Sequence, residues 1–292
     1  MKKVTFVMLG ITLFLFLGLG IFTNPIVANT VDRSESDRDI YLNIMTCNKI
    51  QYEMVKAIAG DKHNVEFMFM DEKSSNEFKY TDEIISNISN MDLFLYSGNQ
   101  FEPWINEVID KLKKGKLGII NLSRGIRTIS METENSNVEN PYYWTGLDEY
   151  KIALYNVKSA IQDRDPINRG LYEDNYNKAV KQIDDSIKEL EKRHGTISDY
   201  TFIALDDNMD YFYRAIGISP IKVTKDKPLT EIVKINKLDP NKVIILKDKE
   251  TEFTIEGYRI INLERYNEDI SAGELLIRNY TSIYEGIPVE EK

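Results

Sequence analysis

DPINRGLYEDNYNKAVKQIDDSIKELEKRHG, residues 165–195, is the stretch on which the architecture turns. Leu171, Tyr172, Tyr176, Ala179, Val180, Ile183, Ile187 and Leu190 recur at steps of three and four, which gathers them on one helical face and leaves the other face charged. Asp165 is placed to cap the first turn and Pro166 suits the first helical position. Lys192, Arg193 and His194 load the negative end of the dipole before Gly195 stops it. A helix over 166–194 would be about 43 Å long, more than one small domain needs to cover its own core. We therefore expect a strut between two lobes. Periodicity alone is also compatible with a long surface helix of a single domain.

Upstream of the strut, strands and helices alternate with short links. Strands are expected at 40–45, 65–70, 91–96 and 117–122, with helices at 51–59 and 82–89 and another opening at Phe101-Glu102-Pro103-Trp104. Residues 72–81 and 128–140 read as polar loops, and a helix at 147–162 breaks at Asp165-Pro166. Beyond the strut we expect strands at 201–205, 221–223, 243–246 and 259–263, and helices at 209–215, 229–237 and 271–284. Such alternation predicts parallel sheets covered on both faces, with ligands beyond the carboxyl ends of the strands, in the loops after Met70, Tyr96, Leu205 and Leu263. The fold class is α/β: two lobes, 40–164 and 196–287, each a mostly parallel sheet flanked by helices, joined by one long backbone helix at 165–195. No internal sequence repeat is visible.

The chain starts with Met1-Lys2-Lys3 and an apolar run over 4–22, an export signal. Either 1–28 is cleaved near Ala28, or it remains as an N-terminal membrane anchor, since the run is just long enough to span a bilayer. Residues 29–39 are a polar tether. The expected location is the cell surface or periplasm. Cys47, the only cysteine, lies too far beyond the run to be a lipid attachment site at the signal's end, and it reads as a small buried hydrophobe. The 42% apolar content is enough for a sizeable core, and a net charge of −10 repels nucleic acid and mildly favours cations. A monomer is expected.

The motifs exclude more than they assign. No phosphate loop, dinucleotide glycine pattern or serine elbow is present, and His63 and His194, the only histidines, stand in polar surroundings. A histidine triad and a multi-histidine metal cluster are thereby excluded, and nothing indicates an enzyme. Both histidines are read as structural.

Several pieces, in order, resemble the zinc/manganese family of solute-binding proteins that serve metal ABC importers. Asn76-Glu77-Phe78-Lys79-Tyr80-Thr81 resembles that family's His-Glu-Tyr-Glu-Pro-Thr, and residues 91–104, from Met91-Asp92-Leu93-Phe94 to Glu102-Pro103-Trp104, are similar to its Ala-Asp-Leu-Phe-Ile-Tyr-Asn-Gly…Glu-Pro-Trp. Asn140-Pro141-Tyr142-Tyr143-Trp144 resembles Asp-Pro-His-X-Trp. Phe202-Ile203-Ala204-Leu205-Asp206-Asp207 is similar to Phe-Val-Thr-Ser-His-Asp, and Asn262-Leu263-Glu264 stands where the family has Leu-Asp. The resemblance covers essentially 40–286. Carried across residue by residue, it puts the family's three metal-binding histidines on Asn76, Tyr142 and Asp206 and its carboxylate on Glu264. An amide, a phenol and two carboxylates suit Mn²⁺, Ca²⁺ or Mg²⁺ better than Zn²⁺.

What the resemblance implies is an extracytoplasmic solute-binding component of a metal-type ABC importer, working with its permease, with an altered oxygen-donor site that binds a hard divalent cation weakly or not at all. A different small solute, stacked on Tyr142, Tyr143 and Trp144, is one alternative. The other is a surface adhesion or accessory interaction protein on the same scaffold. Read locally, Tyr142 is also compatible with packing and Asp206-Asp207-Asn208 with a helix cap.

Overall fold

Two four-stranded sheets, wholly parallel, carry the chain, and they have the same strand order. A computed structural model describes residues 39–98, 100–113, 115–132, 136–194, 197–224 and 228–287. The expectations for 1–38 and for Gly195 lie outside these residues. In the first sheet β1 (Asn43–Asn48), β2 (Asn64–Phe69), β3 (Leu93–Tyr96) and β4 (Gly118–Asn121) are ordered β2-β1-β3-β4. In the second, β7 (Thr201–Ala204), β8 (Ile221–Lys222), β9 (Val243–Asp248) and β10 (Arg259–Leu263) are ordered β8-β7-β9-β10. Each sheet therefore has one place where the winding reverses, between β1 and β3 and between β7 and β9. An open parallel sheet presents a crevice there, beyond the strand ends. The two lobes share a topology that leaves no sequence repeat.

The helices cover the sheets. In the first lobe α1 (Lys49–Ala59), α2 (Glu72–Asn76), α3 (Asp82–Ser89) and α4 (Ile105–Lys111) follow the strands. The α1 helix starts on a capping box: Asn48 accepts from the Gln51 N–H while the Gln51 side chain accepts from the Asn48 N–H. Phe69, Ile85, Ile88, Phe94, Trp104, Ile105 and Val108 pack with Cys47 in one core. In the second lobe Ile203, Leu229, Ile232, Val243 and Ile245 form the corresponding core, to which α8 (Leu229–Ile235) contributes, while α7 (Asp210–Ala215) packs against the helix at Leu147–Arg164.

Between the sheets run α5 (Leu147–Arg164), a 3₁₀ turn at Pro166–Asn168, and α6 (Arg169–His194). The α6 helix is continuous and about 39 Å long at 1.5 Å per residue. Tyr172, Ile183 and Ile187 are buried as the periodicity requires, but Leu171 is exposed. Asp165 does not cap the helix backbone. It is fully buried and accepts from the Asn168 amide at 2.9 and 3.0 Å and from the Tyr172 hydroxyl at 2.5 Å. His63 belongs to the same network and is buried among polar partners: its Nε2 lies 2.7 Å from the Tyr172 hydroxyl and its Nδ1 accepts from the Leu42 N–H. The last helix, α9 (Ala272–Gly286), packs against α6 and β10.

Two expected loops contain structure. Residues 128–140 hold an antiparallel ribbon, β5 (Ser130–Glu132) with β6 (Asn137–Glu139), and 72–81 open with α2, which Asp71 caps by accepting from the Ser74 N–H. The first strand runs over Asn43–Asn48 instead of 40–45. As a central parallel strand it stays buried through Thr46, Cys47 and Asn48, where the polar residues broke the alternation.

Candidate functional site

A cleft of about 1030 Å³ opens between the lobes, with α2 and the preceding Asp71 on one side and the loops after β9 and β10 on the other. Its lining is acidic. Asp71, Glu72, Glu77, Asp248, Glu250, Glu264, Glu268 and Asp269 face only Lys73, Lys249 and Arg265. Of the loops expected to form it, those after Met70 and Leu263 do.

The two aspartates at the second sheet's crevice are coupled through the backbone. β7 and β9 pair with Ala204 opposite Leu246, so Asp206 and Asp248 come at matching positions just past that pairing. The Asp206 carboxylate accepts from the Asp248 N–H at 3.0 Å, the Asn208 N–H at 3.1 Å and the Thr251 hydroxyl at 3.3 Å. It ties the strand ends together. Asn208 makes an Asx-type turn with it, but no side-chain cap of α7 results.

Tyr142 is buried under the cleft and donates its hydroxyl to Glu72 at 2.7 Å. Burial, reinforced by the Glu72 carboxylate, pushes the phenol well above its ordinary range, so it serves as a donor and not as an anionic ligand. Glu264 has cationic and amide partners: Asn267 donates to it at 2.6 Å, with Lys249 at 3.4 Å and Arg278 at 3.5 Å. Burial opposes its charge, but these partners outweigh it and lower its pKa. Asn76 lies exposed on α2 at the cleft wall. Thus Asn76 and Glu264 face the same cleft, Tyr142 reaches it through Glu72, and Asp206 through Asp248.

At the centre of these groups is Arg265. Its Nη1 lies 2.7 Å from Asp248, its Nη2 2.7 Å from Glu250 and 3.6 Å from Glu72, and the guanidinium sits 5.3 Å from the centre of the Tyr142 ring. Its carbonyl accepts from the Trp144 indole at 2.7 Å. Burial works against its charge, but Tyr142, Asp248 and Glu72 hold its pKa above the ordinary value. Among the described residues no group of three or more His, Cys, Asp or Glu is placed to hold a metal ion. As arranged, the residues fit a guanidinium and not a metal. Glu72, Asp248, Glu250 and Arg265 were missed in the sequence. The signals were faint: Asp248 ends a strand expected to stop at Leu246, and Arg265 directly follows Glu264.

The Asn-Pro-Tyr-Tyr-Trp stretch is held from below. Asn140 accepts from the Tyr142 N–H and donates to the Asp207 carbonyl, joining the lobes. The Tyr143 hydroxyl lies 3.0 Å from the Ser97 hydroxyl. At the first sheet's crevice the buried Glu102 carboxylate accepts from the N–H groups of Ser97 and Gly98 and from the Gln51 amide. Glu102 therefore positions the loop after β3, beyond merely opening α4.

Comparison with known proteins gives a consistent answer. The family model for the zinc-uptake complex component A, periplasmic, matches residues 44–239. A metal ABC transporter substrate-binding lipoprotein of Lactococcus lactis subsp. lactis (strain IL1403) is 24% identical over 194 residues, covering 64% of this chain and 62% of the relative. The manganese ABC transporter substrate-binding lipoprotein PsaA of Streptococcus anginosus is 24% identical over 218 residues, 72% of this chain and 69% of that protein. The chain thus spans only about 62% of the length of the first of these. Among solved structures, the Mn-bound periplasmic metal binding protein from Candidatus Liberibacter asiaticus superposes with a TM-score of 0.63 at 20% identity, covering 84% of this chain and 98% of that one. A mutant of the laminin-binding adhesin of Streptococcus agalactiae gives 0.66 at 17% identity, covering 85% and 100%. At these identities both likenesses establish the fold alone.

Proposed function

The chain belongs to the zinc-uptake complex component A family, and from that membership we propose that it is the extracytoplasmic solute-binding component of a metal-type ABC importer, with a rebuilt, oxygen-donor cleft that binds a hard divalent cation weakly or not at all. The reading is of a binding protein and not an enzyme. Its solute positions are Asn76, Tyr142, Asp206 and Glu264, its partner is the importer's permease, and the N-terminal segment directs it to the cell surface or periplasm, cleaved or as an anchor.

One observation carries the reading: a two-lobed parallel α/β frame is kept around a cleft whose donors are oxygens. Mn²⁺, Ca²⁺ and Mg²⁺ accept such donors, whereas Zn²⁺ favours imidazole or thiolate, and neither is offered among the lining residues. The test is capture. The chain, immobilised, is exposed to detergent-solubilised membranes from its source cells, and retained proteins are identified by mass spectrometry. Retention of a metal-type ABC permease is the expected result; if no permease is retained above a bead control, the importer role is wrong and the surface-interaction role takes its place.

A further inference from the structure

We propose that Arg265 is the specificity-determining residue of the cleft: its guanidinium is a tethered cation that satisfies Glu72, Asp248 and Glu250 and so excludes divalent metal ions. The inference rests on the importer reading only in taking a cation as the solute to be excluded.

The guanidinium is held through both of its terminal nitrogens, while its Nε is buried without a hydrogen-bond partner. Glu250 accepts from it at 2.7 Å, Asp248, whose side chain is only 2% exposed, forms an ion pair with its Nη1 at 2.7 Å, Glu72 stands at 3.6 Å, and Tyr142 lies against its face. The backbone is pinned by Trp144 to the Arg265 carbonyl, and the next residue, Tyr266, donates its hydroxyl to the Met70 carbonyl at 2.5 Å. A side chain positioned in this way loses little further freedom on binding, and attachment to the chain gives it a high effective concentration. A free Mn²⁺ or Ca²⁺ would have to shed hydration water and displace a charge-assisted hydrogen bond to Glu250 and a close ion pair with Asp248.

Neighbouring carboxylates follow the same pattern. Glu264 has Lys249 and Arg278, while Asp207 and Asp210 share Lys222. Glu72, Asp248, Glu250 and Glu264 of the acidic lining, which by itself would attract divalent cations, are thus paired with cations from the chain itself. Of these, Arg265 is the one that bridges both walls of the cleft, Glu72 on the first lobe and Asp248 on the second.

Removing the guanidinium should therefore create a cation site. Arg265→Ala and Arg265→Gln are titrated with MnCl₂ and CaCl₂ by calorimetry beside the parent chain, with folding checked by circular dichroism. Both variants should bind on the order of tenfold more tightly than the parent, since affinity for hard cations follows the uncompensated ligand charge. A folded variant whose affinity matches a weak parent overturns the proposal while leaving the importer reading intact. A parent that already binds either ion tightly overturns the proposal and the weak-cation part of that reading, though capture of the permease stands apart from both. Should the variants be unfolded without metal, refolding on addition of either salt is the expected result, and failure to refold overturns the proposal.

Discussion

Glu102 is a buried carboxylate held by amide donors, and that combination has a pH signature. Burial pushes its pKa from 4.5 to about 7, although the donors from Gly98, Gln51 and Ser97 oppose the rise. Between these values the unfolded chain has released a proton that the folded chain still holds. Stability contributed by this group is present below pH 4.5 and falls as pH rises through about 7, by roughly 3 kcal/mol at about 1.4 kcal/mol per pKa unit. Urea titrations from pH 4.5 to 8 should show that decline, and Glu102→Gln should flatten it; an unchanged slope in the variant would assign the effect to other groups. Glu102 stood out in the sequence because Glu-Pro-Trp belongs to the resemblance. Arg265 did not, because an arginine after a strand resembles any solvated charge until the fold brings Glu72, nearly two hundred residues away, against it. Asn76, Tyr142, Asp206 and Glu264 could be named from motif order, but not their partners, since pairing between distant loops leaves no local pattern.

At the scale of elements, the junction of α5 and α6 depends on one buried acid. Asp165 accepts from Tyr172 and Asn168, with Lys62 at 4.0 Å, while His63 lies on the other side of the Tyr172 hydroxyl. Tyr172→Phe removes a donor from a buried carboxylate, which costs roughly 1.5–3 kcal/mol. Denaturant midpoints should report the loss with an unchanged m-value, and a variant as stable as the parent would show that the network contributes nothing net. The periodicity of α6 was legible because three and four-residue steps persist over its whole length. The 3₁₀ turn before it was not, since Pro166 at a first helical position suits either geometry. The β5–β6 ribbon was missed for a similar reason. Its strands have three residues each and one facing layer, too short for alternation to register.

For the whole molecule, the question is how far the lobes move when a solute arrives. Their link, α6, is a continuous helix; its only glycine, Gly170, stands in the first turn with open space around it, so there is no interior break at which bending is cheap. The lobes are also joined across the cleft by Arg265 with Glu72, Tyr266 with the Met70 carbonyl and Asn140 with the Asp207 carbonyl. With the tethered guanidinium in place, these contacts exist without any free ion, so adding one supplies no new bridge to favour a more closed state. A ligand shifts a conformational equilibrium only by its differential affinity for the two states. Solution scattering of the parent should then give the same radius of gyration with and without excess Mn²⁺ or Ca²⁺, near the roughly 18 Å that compact chains of about 250 residues show. Arg265→Ala, with the bridge removed, should be the more open form in the absence of metal and should contract when metal is added. Contraction of the parent on adding metal, with no change in the variant, would reverse the order of cause that the cleft geometry implies.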